Sequence, residues 1–354
     1  MAEEVSVLLF GLGAIGSFYA FILTQNKRVR LTVVARSNYD AVKKNVGLHR
    51  TSPEYKSLIT VRASTSRART MGSMSYIQQR VNMVLFPLTG VTDEVVVVRT
   101  PAEAGETYDY VVCAHKAIDQ SSIPERLAPA VDEEKTCIVI MQNGVGNEDP
   151  FREAFPKCPI LSGVVWVGAR QDSPGYITHM SAENTQIGLF PNESLETSRE
   201  HATLDKFASL LRDGGTPVSI EDNIQVQRWE KVVWNVAWNS LTALTMLDTH
   251  SWLNSSPDSM PMTRKLMTEV IDVARKCDVP IQYELVDQLI NRILAMPPIG
   301  SSMQTDCKLG RPMEVDVILG TPVRKGRELG VSIPTLEVLH TLLLAINSRM
   351  ESHA

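Results

Sequence analysis

Apolar positions fall in two different rhythms along this chain. Residues 5–10 form a nearly unbroken apolar run that stops at Gly11, and an apolar stretch with helical spacing follows over residues 14–23. That pattern predicts a buried strand, a glycine turn and a helix. A second strand is expected at residues 29–35. Further runs at 95–98, 110–114 and 137–141 are each followed by turn or helix signals, which extends an alternating, parallel α/β arrangement. Residues 160–190 read as three short β segments, 160–167, 175–180 and 185–190, broken by Asp-Ser-Pro-Gly and Ala-Glu-Asn, and so predict an antiparallel extension of the sheet. A helix at 199–211 and a strand around Val218 close this first region. From about Asn223 the rhythm becomes helical, with helices expected at 224–246, 262–276, 283–296, 301–308, 313–329 and 336–350. The expected organisation is an α/β domain over residues 1–222 and an all-α domain over 223–354.

A length of 354 residues suits two domains of unequal kind. With 44% hydrophobic and 21% charged residues, the composition excludes disordered and low-complexity chains. Thirty-five basic against 40 acidic residues leave a net charge of −5, which gives no general attraction to nucleic acid or to an anionic membrane. The five cysteines form an odd set without C-x-x-C spacing, so neither a disulfide framework nor a structural zinc site is expected, and a reducing compartment fits best. The first residues, Met-Ala-Glu-Glu, lack the basic flank of a signal or transit peptide. No apolar run approaches the roughly 20 residues that span a bilayer. A cytoplasmic protein is expected.

Residues 61–90 fit neither rhythm. They hold four arginines (Arg62, Arg67, Arg69, Arg80) and no acidic residue, and read as a surface insertion between sheet strands, with a local anion or partner site as the alternative.

Three places in the first region carry chemistry. Gly11, Leu12, Gly13, Ala14, Ile15 and Gly16 spell G-x-G-x-x-G between a strand and a helix. The first glycine makes the turn, the second lets a pyrophosphate approach the backbone, and the third lets helix pack on strand. The anion would sit at the positive end of the helix. This is a Rossmann-like dinucleotide site. At the end of the second strand an NAD site would have an acidic residue for the ribose hydroxyls, but the chain has Arg36, then Ser37 and Asn38, which suits a 2′-phosphate and so NADP. Lys116 and Asn143 stand just past two further strand ends, where open α/β sheets bind ligands.

The helix starting near Ile224 carries Lys231, Asn235 and Asn239 at steps of four. Each step adds about 40° beyond a full turn, so all three share a stripe about 80° wide. The rest of that helix is apolar nearly all round, so the stripe needs buried partners, and a lysine with two amides would line a site for an oxygen-rich small molecule. The alternative, Lys231 reaching the surface while the asparagines bond nearby backbone, stays open on the residues alone. Ser301-Ser302 opens a short helix, as an N-cap or an anion-binding terminus. Pro312 is expected to start another helix with Glu314 and Asp316 in its first turn, complementing the macrodipole.

Together these residues resemble the ketopantoate reductase family (2-dehydropantoate 2-reductase), over the whole chain except 61–90. The likeness rests on G-L-G-A-I-G, Arg36, H-K-A at Lys116, Q-N-G-V-G at Asn143, W-E-K-V-V-W-N-V-A-W-N-S-L-T-A from Trp229, and S-S-M followed by E-V-D at Glu314. It implies NADPH-dependent reduction of a small 2-oxo acid, ketopantoate, to the 2-hydroxy acid pantoate, with substrate held between the domains. By the same resemblance Lys231 is the general acid, and Asn143 positions substrate and nicotinamide. Lys116 sits at the cofactor edge, Asn235 and Asn239 bond the distal hydroxyl, and Ser302 holds the carboxylate. Glu314 assists the proton inventory and orients Lys231. Trp238 and Ser240 depart from the smaller aliphatic residue and the proline common in the family. They bear on which 2-oxo acid is used more than on the reaction. Two rivals follow: a reductase of another 2-oxo acid such as ketoisovalerate, and a non-catalytic NADP(H)-binding regulator on the same fold. The resemblance leaves a homodimer open.

Overall fold

The computed structural model describes residues 3–48 and 95–351; the expected insertion at 61–90 lies outside them. Eight strands, β1 (Val5–Phe10), β2 (Val29–Val34), β3 (Val96–Val98), β4 (Tyr110–Cys113), β5 (Cys137–Ile140), β6 (Ile160–Ser173), β7 (Tyr176–Leu189) and β8 (Val218–Ile220), form one sheet in the order β3-β2-β1-β4-β5-β6-β7-β8. All pairings are parallel except β6 with β7. Among the described residues, five α-helices belong to the α/β part of the chain: α1 (Ala14–Thr24), α2 (Tyr39–Leu48), α3 (Ile123–Leu127), α4 (Asp149–Ala154) and α5 (Thr197–Asp213). The remainder is helical: α6 (Ile224–Thr245), α7 (Thr249–Leu253), α8 (Ser259–Lys276), α9 (Leu285–Ala295), α10 (Ser302–Lys308), α11 (Thr321–Glu328) and α12 (Pro334–Glu351).

The apolar run that opens the chain is explained by burial on both faces of the sheet. All six residues of β1 are buried. Because side chains alternate along a strand, Val5, Val7 and Leu9 join one core, with Phe18 and Leu23 of α1 and Phe207 and Leu211 of α5. Leu8 and Phe10 join another, with Ile123, Leu127 and Phe151. The strand order reverses on either side of β1, so the carboxyl ends of β1 and β4 frame the position where such sheets take ligands.

Two expectations are corrected. The three β segments between 160 and 190 are two long strands, and Ala-Glu-Asn does not break the second. Val165 pairs with Thr185, Trp166 with Asn184 and Val167 with Glu183, so the ladder runs through the polar residues. Asn184 is exposed there, and an exposed ladder position accepts a polar side chain as readily as a turn does. The irregularity falls instead at Gly168, where the register shifts. The second correction concerns Pro312, which does not start a helix. Helical backbone begins at Val315 and passes through a π segment, Asp316–Gly320, into α11. Glu314 precedes the first turn, its carboxylate engaged by other groups described below. The short α7 is not among the expected helices. All five cysteines are free thiols. Among the described residues, no helix is long and apolar enough to cross a membrane.

By internal packing the chain falls into two units that sequence order does not separate. Residues 1–115, 121–142 and 150–222 form one; residues 116–120, 143–149 and 223–354 form the other. The two short segments carrying Lys116 and Asn143 therefore pack with the helices. In that second unit α6 is the central element, packed against α8 and α10, with Val232, Val233, Val236, Ala237 and Leu241 in its core. Asn223 caps its start by accepting from the Gln225 amide.

Candidate active site

In the α/β unit the glycine loop has the geometry that its spacing predicts. Gly11 has φ +102°, and a Cβ there would lie 2.5 Å from the backbone of His115 at the end of β4. Gly16 lies so close under the loop that its Cβ would be 1.8 Å from the Gly11 carbonyl oxygen. Only glycine permits that approach of helix to turn. Gly13 differs: its Cβ would meet nothing within 4 Å, which leaves its backbone open to an incoming group. Asn38 braces the loop by donating to the Leu12 carbonyl at 2.6 Å. The first turn of α1 contains no acidic residue, so its free N–H groups keep their attraction for an anion. Arg36 is exposed just past β2. An open Gly13, an uncompensated helix start and an exposed Arg36 just past β2 fit a phosphorylated dinucleotide.

In the helical unit Glu314 is a hub. Its carboxylate is buried and accepts from the Ala117 amide at 2.9 Å, from Lys116 Nζ at 3.3 Å and from Asn143 Nδ2 at 3.3 Å. Burial alone would raise its proton affinity, but the charge of Lys116 and these three donors together hold the carboxyl below the ordinary range. Lys116 also donates to Asp306 at 2.7 Å. Burial works against the Lys116 ammonium, and the two carboxylates outweigh it, so the charge is kept beyond its usual pH. Arg311 Nη2 completes the cluster, 2.8 Å from Asp306.

The Lys231 stripe lies in the same unit. Asn235 and Asn239 are buried, and among the described residues the side-chain nitrogen of each has no hydrogen-bond partner. Two buried amide donors thus stand on one helix face with no hydrogen-bond partner among the described residues. Lys231 is half-buried, yet its ammonium is brought down to about 7. Desolvation is the largest cause, followed by the charge of Arg228; Glu314 opposes the fall and Arg292 adds to it. A lysine in this range is nearly balanced between giving and regaining a proton at neutral pH.

Two models of ketopantoate reductase describe the chain: the ketopantoate reductase PanE/ApbA model matches residues 7–192, and the PanE/ApbA C-terminal model matches residues 223–347. The chain belongs to the ketopantoate reductase family. It is accordingly an oxidoreductase of the 2-hydroxy-acid type, in a family whose enzymes use a nicotinamide cofactor and a small oxo acid. The crystal structure of 2-dehydropantoate 2-reductase from Methylococcus capsulatus superposes with a TM-score of 0.75 at 29% identity, covering 98% of each chain. The 2-dehydropantoate 2-reductase of Nostoc sp. is 26% identical over 68% of this chain and 75% of its own. An uncharacterized protein of Saccharomyces cerevisiae is 25% identical over 98% of this chain and 94% of its own.

Against that family pattern, the substituted positions on α6 behave differently from one another. Ser240 is fully buried and turns its hydroxyl back to the Val236 carbonyl at 2.5 Å, so it replaces a proline without entering the polar stripe. Trp238 is buried, meets Trp234 edge-on at 5.9 Å, and among the described residues its indole nitrogen has no hydrogen-bond partner. Ser301 caps α10 by accepting from the Gln304 amide at 3.0 Å, while Ser302 is exposed in the first turn. Lys116, Asn143 and Glu314 are brought together by direct contacts, and Lys231 is coupled to Glu314 through charge. Sequence reading missed Asp306, which is nearly buried between Lys116 and Arg311, and the ion pair of Arg228 with Glu148. A signal existed for Arg228: it stands between Ile224 and Val232 on a buried stripe, where a charge demands a buried partner.

Proposed function

We propose that the chain reduces 2-dehydropantoate to pantoate with NADPH. The observation that carries this reading is the α6 stripe, in which a lysine poised near neutrality is followed by two buried amide nitrogens with no partner among the described residues. Gly11, Gly13, Gly16 and the start of α1 would hold the pyrophosphate, with Arg36 at the 2′-phosphate; when bound, the cofactor supplies the hydride for the 2-oxo carbon. As that carbon is reduced, its oxygen becomes an alkoxide. The Lys231 ammonium stabilises the developing charge and gives the oxygen its proton from Nζ. At a pKa of about 7 the lysine regains that proton from water without a large penalty. Asn143 positions the carbonyl, and Ser302 takes the carboxylate. Asn235 and Asn239 donate to the substrate's distal hydroxyl, which removes the cost, about 1 to 3 kcal/mol each, of leaving buried donors unpaired. Glu314 anchors Asn143 and Lys116 and keeps a negative charge near Lys231.

A second reading, reduction of another 2-oxo acid such as ketoisovalerate, is favoured by one residue. Trp238 brings an indole to a helix face where a small aliphatic side chain would leave room for branching at C3. Initial rates of NADPH oxidation across ketopantoate, ketoisovalerate and pyruvate, with the 2-hydroxy acid identified, decide between them. Ketopantoate is expected to lead by about tenfold or more in kcat/KM, the factor that about 1.4 kcal/mol provides. A lead for ketoisovalerate overturns the pantoate assignment, and no turnover of any 2-oxo acid leaves a cofactor-binding regulator.

A further inference from the structure

The segment carrying Asn143 and the helix carrying Lys231 are joined by a buried ion pair that the proposed chemistry does not use. Arg228 Nε lies 2.8 Å from Glu148 Oε1, with each side chain only 1% exposed. Arg228 Nη1 donates to the Gly144 carbonyl at 2.9 Å, and Gln225 Nε2 reaches Glu148 at 3.3 Å. Gly144 adjoins Asn143 and has φ +94°; a Cβ there would stand 2.5 Å from the Val317 carbonyl. The Val145 amide donates to that same carbonyl at 3.1 Å. Asn147 Nδ2 closes the turn on the Asn143 carbonyl at 2.7 Å. The 143–149 segment is thus clamped between the π segment on one side and α6 on the other, and Arg228 is the clamp on the α6 side.

Stability is a poor account of this pair. Two charges so deep lose most of their hydration, and apolar residues of the same volume are often as stabilising or more so. What the pair does supply is direction. A guanidinium fork holds a carboxylate and a carbonyl at fixed angles, which an apolar contact does not.

We propose that Arg228 is a positioning residue: with Glu148 as its counter-ion, it holds the segment bearing Asn143 in register with the helix bearing Lys231. This rests on the roles assigned above to Asn143 and Lys231. Arg228 also stands one turn before Lys231. Among the charged groups that act on that ammonium are Arg228 on its own helix, Arg292 from α9 and Glu314 from the segment before the π turn. Removing the Arg228 charge therefore raises the proton affinity of Lys231.

The test compares R228K, the neutral double variant R228M/E148Q, and K231A in the NADPH–ketopantoate assay, with thermal melting of each. The double variant removes both charges at once, so it leaves no unpaired ion in the core. It is expected to melt near the wild type and to bind NADPH unchanged. Its kcat should fall about tenfold or more, and the high-pH limb of kcat/KM should move up by about half a pH unit or more. R228K keeps the charge, so its limb stays, while kcat still falls because one ammonium does not reproduce the fork. If the double variant does not fold, R228K decides alone: reduced kcat at a near-wild-type melting temperature supports the proposal, and wild-type kcat, or a kcat loss matched by a lower melting temperature, overturns it. A merely structural role predicts a lower melting temperature with an unmoved limb in both variants. If K231A loses turnover while R228M/E148Q keeps wild-type kcat and limb, this inference fails alone. If K231A retains turnover, the reading beneath it fails too.

Discussion

If Lys231 gives the proton, the rate of reduction follows the fraction of enzyme in which its ammonium is charged. A lysine with the ordinary value of 10.5 would keep that fraction near one across the neutral range. Burial first, and then the Arg228 and Arg292 charges against the pull of Glu314, bring Lys231 to about 7. The direction of the effect follows: the acid form predominates below that value and is lost as pH rises through it. A group titrating near 7 is about half charged at pH 7, about a tenth at pH 8 and about a hundredth at pH 9, so kcat/KM should drop about tenfold per unit on the alkaline side. The assay is the initial rate of NADPH oxidation at low ketopantoate, which reports the free enzyme, in buffers from about pH 5.5 to 9.5. The midpoint of the limb is expected between about pH 6 and 8, and K231A should lose the limb together with about 10²-fold in kcat. A wild-type profile flat to about pH 9, or the same limb persisting in K231A, would refute the assignment of the proton to Lys231.

Other outcomes can be checked with the same enzyme. Replacing Arg36 by alanine should raise KM for NADPH about tenfold and leave NADH nearly unchanged, since only the former carries the phosphate that an exposed guanidinium reads; equal losses with both cofactors would remove Arg36 from that role. Asn239→Ala should cost far more in kcat/KM with ketopantoate than with ketoisovalerate, because only the hydroxylated substrate pairs with the buried amide; equal losses would mean that the amide does not face the substrate. Gly13→Ala, whose Cβ meets nothing, should melt like the wild type and bind NADPH weakly by fluorescence titration, whereas Gly16→Ala, forced to within 1.8 Å of the Gly11 carbonyl, should lose folded protein as well. Tight NADPH binding by Gly13→Ala would show that no phosphate group approaches there.

The parts of this structure legible in the sequence are those where a local rule and the tertiary environment agree. β1 is buried on both faces, and a doubly buried strand has to be apolar throughout, so its run and the glycine triplet after it announce the first fold unit. Lys231, Asn235 and Asn239 could be placed on one face because helical periodicity is rigid over three turns. What escaped depends on partners distant in sequence. Glu314 looks like a dipole-complementing residue in a first turn, yet its partners are Lys116, Ala117 and Asn143, 171 to 198 positions away, and the helix starts after it. Asp306 gave no local sign of being the counter-ion of Lys116. Asn184 was read as part of a turn because a polar residue on the open face of a long ribbon and a polar residue in a loop look alike without the strand opposite.

The way the chain threads its two units bears on how the protein can be cut and recombined. Asn223 opens the helical region in sequence, but the peptides 116–120 and 143–149 are built into that region and lie upstream of it. A fragment beginning at Asn223 would take Arg228 away from Glu148, and Glu314 away from Lys116, the Ala117 amide and Asn143. The helical part is therefore no transplantable module. A chimera joined at that point between two relatives would mate one parent's loops with the other's helices, and Lys231 would inherit foreign neighbours. Grafts that exchange specificity along this scaffold need three segments moved together through five crossovers, four of them flanking peptides only five and seven residues long.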